Sequence, residues 1–233
     1  MEMRPRASWR NTTHDWASTV DLGHLRHIRR DPGRFAPGGV RHLILEVVAY
    51  AADEAECGNG GRCLVTLHPD GSVSVADDGR GTDTRLDDHG VPVKKPIMAT
   101  KDLRFFDRPD RPDGPGRPGA QSLPDGHPRR GMSVVAVLSS ELIHTNRRRG
   151  GAWTQRYEYG VPVSDLEPIA HDGTTGTTVR FRPGACLPAA NAANPANAPS
   201  APSADELAGL VAAWPHLAVD VRDKRRERRT TAG

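Results

Sequence analysis

Residues 40–57 read VRHLILEVVAYAADEAEC, and their spacing decides the fold. Val40, Leu43, Ile44, Val47, Val48, Ala51, Ala52 and Ala55 recur at the i, i+3, i+4, i+7 period of a helix with one buried face. Gly38-Gly39 precede the run and Gly58 ends it. At about 100° per residue, Glu46, Tyr50, Asp53 and Cys57 fall together on the other half of the wheel. An acid on such a face can polarise a water molecule.

Next along the chain, Leu64–His68 and Ser72–Ala76 alternate in the manner of strands, and Pro69-Asp70-Gly71 between them is a turn signal. This predicts a hairpin whose second strand runs straight into Asp77-Asp78-Gly79-Arg80-Gly81. Glycines there let the backbone approach a ligand, and the acid can accept a hydrogen bond from an exocyclic amine. Further on, Gly131 opens an apolar segment predicted to be helical over Gly131–Leu142. Free N–H groups at a helix start favour phosphate. Each feature alone has an ordinary reading as a surface acid, a tight turn or a helix cap. In this order the three point to a nucleotide.

The remaining segments fill in the architecture. Residues 22–30 suit a short helix stopped by Asp31-Pro32-Gly33. Residues 82–130 lack a sustained period, and 104–130 are dense in Pro, Gly, Asp and Arg, as in a lid loop. Ile143–Asn146 and Trp153–Glu158 flank the basic turn Arg147–Gly151, which predicts a second hairpin. Thr177–Phe181 reads as a strand, and 183–203 as a low-complexity linker. Ala204–Ala213 reads as a helix with Ser203 as its N-cap, and Leu217–Arg222 as a closing strand. The expected fold class is α/β (α+β): a two-layer sandwich, its mixed sheet covered by helices on one face. The expected division is an N-terminal extension (1–21), one domain (22–223) and a basic tail (224–233).

Composition narrows the function classes. The chain has 233 residues, 36% hydrophobic and 26% charged, with a net charge of +3. Residues 222–233 hold six Lys/Arg and two acids, so the other 221 residues are close to neutral. A solubilising end is the favoured reading of this tail, and DNA contact the weaker one. No apolar run is long enough to span a membrane, and no secretory signal follows the N-terminus. Cys57, Cys63 and Cys186 form no CxxC and no even framework. This predicts a cytoplasmic protein without a zinc site.

Seven stretches together resemble one family. HLILEVVAYAADEA (42–55) resembles the first helix of the type II topoisomerase ATPase domain, the GHKL (Bergerat) fold of the DNA gyrase B subunit. DGSVSVADDGRG (70–81) resembles its adenine-binding strand and turn, and RRDPGRFAP (29–37) its RKRPGMYIG box. RRGMSVVAVLSS (129–140), YEYGVPVSDLEPI (157–169), TTGTTVRFRP (174–183) and VDVRDKR (219–225) resemble later segments in the same order.

The resemblance implies ATP as ligand and assigns roles. It makes Glu46 the general base, Asp77 the acceptor of the adenine amine, and Gly79 and Gly81 the turn beneath the base. Arg80 becomes a pocket wall paired with Glu54, Thr177 a second adenine contact, and Arg148 a rim arginine. Arg130 and Gly131 fall on the phosphate side, with Asp53 a nearby helix acid. Three departures stand out. The family's Mg²⁺-binding Asn is replaced by Tyr50, and a phenol is a poor ligand for that ion. The glycine-rich lid end is replaced by His127-Pro128-Arg129-Arg130-Gly131. Thr82-Asp83 stands where the family has Ile-Pro. The chain also stops where the family's transducer domain begins. These features imply a stand-alone ATP-binding domain of the gyrase B type, with weak or no hydrolysis and no strand passage alone, and with Mg²⁺ in doubt. A gyrase or topoisomerase subunit is the implied partner. The competing expectation is a non-catalytic interaction or regulatory module that keeps the fold, and nucleotide titration separates the two.

Overall fold

The computed structural model describes residue 14 and residues 19–58, 60–106, 122–187 and 201–225. The expectations for most of 1–21, the middle of the lid loop, most of the linker and residues 226–233 lie outside the described residues.

The N-terminal third is helical. α1 (Leu22–Arg30) starts on Asp21, whose carboxylate accepts from the His24 N–H at 2.9 Å. Asp31-Pro32-Gly33 does stop α1, but it also starts a second helix, α2 (Pro32–Phe35). Asp31 caps it by accepting from the Arg34 N–H, and Pro32 sits in the first turn, where a missing N–H costs nothing. α3 (Val40–Cys57) follows, with the bounds the period predicts.

The expected hairpin is β1 (Gly61–Leu67) with β2 (Val73–Asp77), in register from Cys63↔Asp77 to Leu67↔Val73. Asp70 fixes its turn by accepting from the Ser72 N–H at 3.0 Å. Residues 82–130 hold more structure than their sequence suggests: a small ribbon of β3 (Thr84–Leu86) and β4 (Pro92–Lys94), and a turn of helix, α4 (Leu103–Phe106).

The helix expected over Gly131–Leu142 is a correction. α5 runs only Met132–Val137, and Ser139 begins a long strand, β5 (Ser139–Arg148). The apolar run 134–137 belongs to one element and Leu142 to the next, and both are fully buried. A short apolar run fits either state. β6 (Gly151–Glu158) pairs with β5 about the basic turn, as predicted. β7 (Val161–Pro162) and β8 (Glu167–Pro168) are two-residue additions to β6. β9 (Gly176–Pro183), α6 (Ala204–Val211) and β10 (Leu217–Asp223) complete the chain, and Ser203 caps α6 as expected, accepting from Glu206 N–H.

The main sheet runs β10-β1-β2-β9-β5-β6-β7, with β8 on β6. β10 is parallel to β1 and the other pairs are antiparallel, so the sheet is mixed. Its inward rows are Val65, Leu67, Val73, Val75, Phe181 and Leu142, all nearly inaccessible to solvent. α3 packs over β1, β2 and β10, and α5 over β5 and β6. This is the two-layer arrangement expected. Among the described residues no helix is long and apolar enough to cross a membrane.

Candidate functional site

A cavity of about 350 Å³ opens between α3 and the inner face of β2, β9 and β5. Val47, Met98, Met132 and Val179 give it apolar walls, and Asp77, Thr177, His144 and Arg148 give it polar ones. Asp77 ends β2. Its Oδ1 accepts from the N–H groups of Gly79 at 2.9 Å and Thr177 at 3.2 Å. Its Oδ2 takes no hydrogen bond from the described residues. Burial raises the Asp77 carboxyl to about 6, against the pull of those two N–H groups.

The turn after Asp77 is built for close approach. A Cβ on Gly79 would lie 2.8 Å from the Glu54 side chain. Gly81 has φ +77°, and a Cβ there would lie 2.5 Å from both the Arg147 carbonyl and the Asn146 side chain. Arg80 reaches back to α3, where its Nη2 donates to Glu54 Oε2 at 2.9 Å and its Nε to Oε1. The hydrogen bond from Arg80 holds Glu54 below the usual carboxylate range. The buried Asn146 on β5 completes the turn. Its Oδ1 accepts from Thr82 N–H at 2.7 Å and its Nδ2 donates to the Thr82 carbonyl at 2.8 Å. The side-chain amide thus pairs as a strand backbone would. Arg148 closes the rim through Asp83 and the Gly81 carbonyl.

The other end is already occupied by protein. Glu46 is fully buried. Its Oε2 accepts from Gly131 N–H at 2.9 Å, its Oε1 from Arg130 N–H, and His42 Nε2 lies 3.4 Å from Oε1. The Tyr50 hydroxyl donates to Asp102 Oδ2 at 2.7 Å. Burial, and then the Asp102 charge, push the phenol well above its ordinary range, so it remains a neutral donor. Asp53 bridges two guanidinium groups, Arg129 at 2.7 Å and Arg104 at 3.1 Å. The Arg129 guanidinium stands 4.6 Å from the centroid of the Tyr50 ring.

This geometry can be set beside known proteins. No family model matches the chain. The DNA gyrase B subunit of Haloferax volcanii is 37% identical over 175 residues, which cover 70% of this chain and 25% of that protein. The DNA topoisomerase 4 B subunit of Bacillus subtilis is 33% identical over 167 residues, covering 70% of this chain and 24% of that protein. The chain is a homologue of the type II topoisomerase B subunits. It spans about a quarter of the length of the curated relatives it matches. Among solved structures, the topoisomerase IV ATP-binding domain of Francisella tularensis, in complex with a small-molecule inhibitor, superimposes with a TM-score of 0.62. That match covers 85% of this chain and 89% of that one at 24% identity, and it shows the shared fold.

The structure brings some of the candidate residues together and sets others apart. Asp77, Arg80, Gly81, Arg148, Thr177 and Glu54 line one cavity, and Gly79 forms the turn beside it. Glu46, Arg130 and Gly131 do not line it; they bond to one another at its far side. The single polar face expected of α3 is really a gradient. Glu46 is buried, Tyr50 and Asp53 are intermediate, and Cys57 is exposed. Four site residues escaped sequence reasoning: His42, Asp102, His144 and Asn146. For the last two a signal existed. Leu142, His144 and Asn146 alternate, which places polar groups on the inward face of a core strand. Asp102 lies in a stretch without period and carried no signal.

Proposed function

We propose that this chain binds ATP, with the adenine amine on Asp77 Oδ2. One observation carries the reading. Asp77 has one oxygen consumed by Gly79 and Thr177 and the other left for a ligand, at the wall of a cavity with apolar sides. The homology to topoisomerase B subunits supports ATP as the nucleotide, and a gyrase or topoisomerase subunit as the partner class. Thr177 flanks the base, Gly79 and Gly81 hold the turn beneath it, and Arg80 and Arg148 border it.

Hydrolysis needs a water held by Glu46. Glu46 is fully buried, with each oxygen held by a backbone N–H of residues 130–131, so that segment shifts to admit a water. The family resemblance also implies Mg²⁺, and the residues present do not fit it. Tyr50 stands at the ligand position and is spent on Asp102, while Asp53 is spent on two arginines. Among the described residues no cluster of three His, Cys, Asp or Glu could hold a metal. These features favour a nucleotide-binding protein that turns over little or not at all. Calorimetric titration with ATP tests the reading, followed by phosphate release at saturation. We expect saturable binding, and phosphate release no faster than from a Glu46→Ala variant. No heat of binding at millimolar ATP would move the chain to the class of non-nucleotide interaction modules.

A further inference from the structure

The charged side chains around the cavity cancel in pairs, with one cation left over. Arg80 is paired with Glu54 and Arg148 with Asp83, and all four line the cavity. Lys95 lines it as well. Among the described residues its ammonium makes no hydrogen bond and no ion pair. Lys95 is half-buried, and its Nζ is not sealed from solvent, in contrast to the Nζ of Lys94 beside it. Burial pulls the ammonium below its ordinary range; the charges of Asp102 and Asp83 pull it back up, against those of Arg104 and Arg85. A partly desolvated cation without a partner costs free energy, and an anion placed against it recovers part of that cost.

The backbone holds this side chain in place. The Lys95 N–H donates to the Asp83 carbonyl at 3.1 Å, which ties it to the rim segment after Gly81. Its carbonyl accepts from the Ile97 N–H at 2.8 Å across Pro96, a three-residue turn whose proline restricts Lys95 to extended conformations. Ile97 and Met98 continue the lining, so residues 95–98 contribute one stretch of wall. Asp77 and Lys95 thus border one cavity of about 350 Å³, and a nucleotide whose base meets the acid can turn its phosphates toward the cation. Tyr50, Asp53 and Asp102 are committed to one another or to arginines, so the site offers phosphate a side-chain cation rather than a metal ion. A lysine suits that task as a compact point charge with three donors.

Building on the ATP reading, we propose that Lys95 is a phosphate-binding residue of this site, its ammonium donating to a phosphate of the bound nucleotide in place of a metal ion. The test titrates the whole chain with adenosine and with ATP, both in EDTA. Wild-type protein is expected to bind ATP about tenfold more tightly than adenosine, the worth of one charge-assisted hydrogen bond. In Lys95→Met, or in Lys95→Gln should Met disturb the wall, adenosine is expected to bind as in wild type and ATP within about threefold of adenosine. Equal wild-type affinity for adenosine and ATP overturns the proposal while leaving base recognition intact, and it needs no variant to fold. A tenfold preference for ATP that survives the loss of Lys95 also overturns it, since another group then holds the phosphate. So does a variant that weakens adenosine and ATP alike, because Lys95 would then serve only the shape of the wall. Absence of binding by both ligands removes the proposal together with the reading on which it rests.

Discussion

At the scale of single residues, the site depends on where protons and amides sit. Asp77 is the clearest case. Burial lifts its carboxyl from 3.8 to about 6, so the ligand-free fold holds this proton more tightly than the unfolded chain does. The sign follows: this group's contribution to stability falls as pH rises from about 4 to 6 and stays low above that. Adenine asks for the opposite, an ionised acceptor. The advantage of wild type over Asp77→Asn in ATP affinity should therefore be greatest above pH 7 and shrink toward pH 5. Titrations at several pH values check this, and a ratio independent of pH would show that Asp77 is not the titrating acceptor. Glu46 shows how far the residue scale was readable. Its position was legible from the family motif, but its burial against Arg130 and Gly131 was not, because that contact spans 85 positions. Asn146 and His144 were legible in principle from strand alternation. They were obscured because β5 follows an apolar run without a turn signal between them.

At the scale of elements, the strongest periods were the best guides. α3 matches its predicted bounds and the β1–β2 hairpin its predicted turn, although β1 begins three residues before the expected Leu64, because a long amphipathic run and a Pro-Asp-Gly turn are strong local signals. α5 and β5 divide a segment that reads as one helix, since Val134, Val135, Val137 and Leu142 are all buried whichever element holds them. β3 and β4 have three residues each, too few to show a period. The contact between α3 and the segment 129–131 has a functional consequence. Tyr50–Asp102, Asp53–Arg129 and Glu46–Gly131 tie down each group that could face a metal. ATP affinity should then differ by less than about threefold between Mg²⁺ and EDTA, since no octahedral oxygen set is offered. Tyr50→Asn, which restores an amide oxygen and releases Asp102, should bring back a Mg²⁺ dependence. A strong Mg²⁺ effect in the wild type would mean that these contacts open when nucleotide binds.

At the scale of the whole molecule, one face of a mixed sheet is covered by helices, and the cavity lies where α3 crosses the ends of β2 and β9. That placement brings residues 77, 144 and 177, distant in sequence, around a single cavity. Homology to topoisomerase B subunits and the shared fold make a nucleotide the expected occupant. The site has a polar inner wall and a far end closed by protein contacts. One end is an open cavity, whereas the far end is filled by the contacts of Glu46 with residues 130–131. Recognition of the base by Asp77 is thus the claim on which the account turns. The most direct measurement is the ATP dissociation constant of wild type against Asp77→Asn at pH 7.5. The substitution keeps the shape of the side chain and can set an amide NH₂ against the adenine NH₂. A loss of about 1–3 kcal/mol, roughly 5- to 150-fold in affinity, is expected. Equal dissociation constants would contradict it.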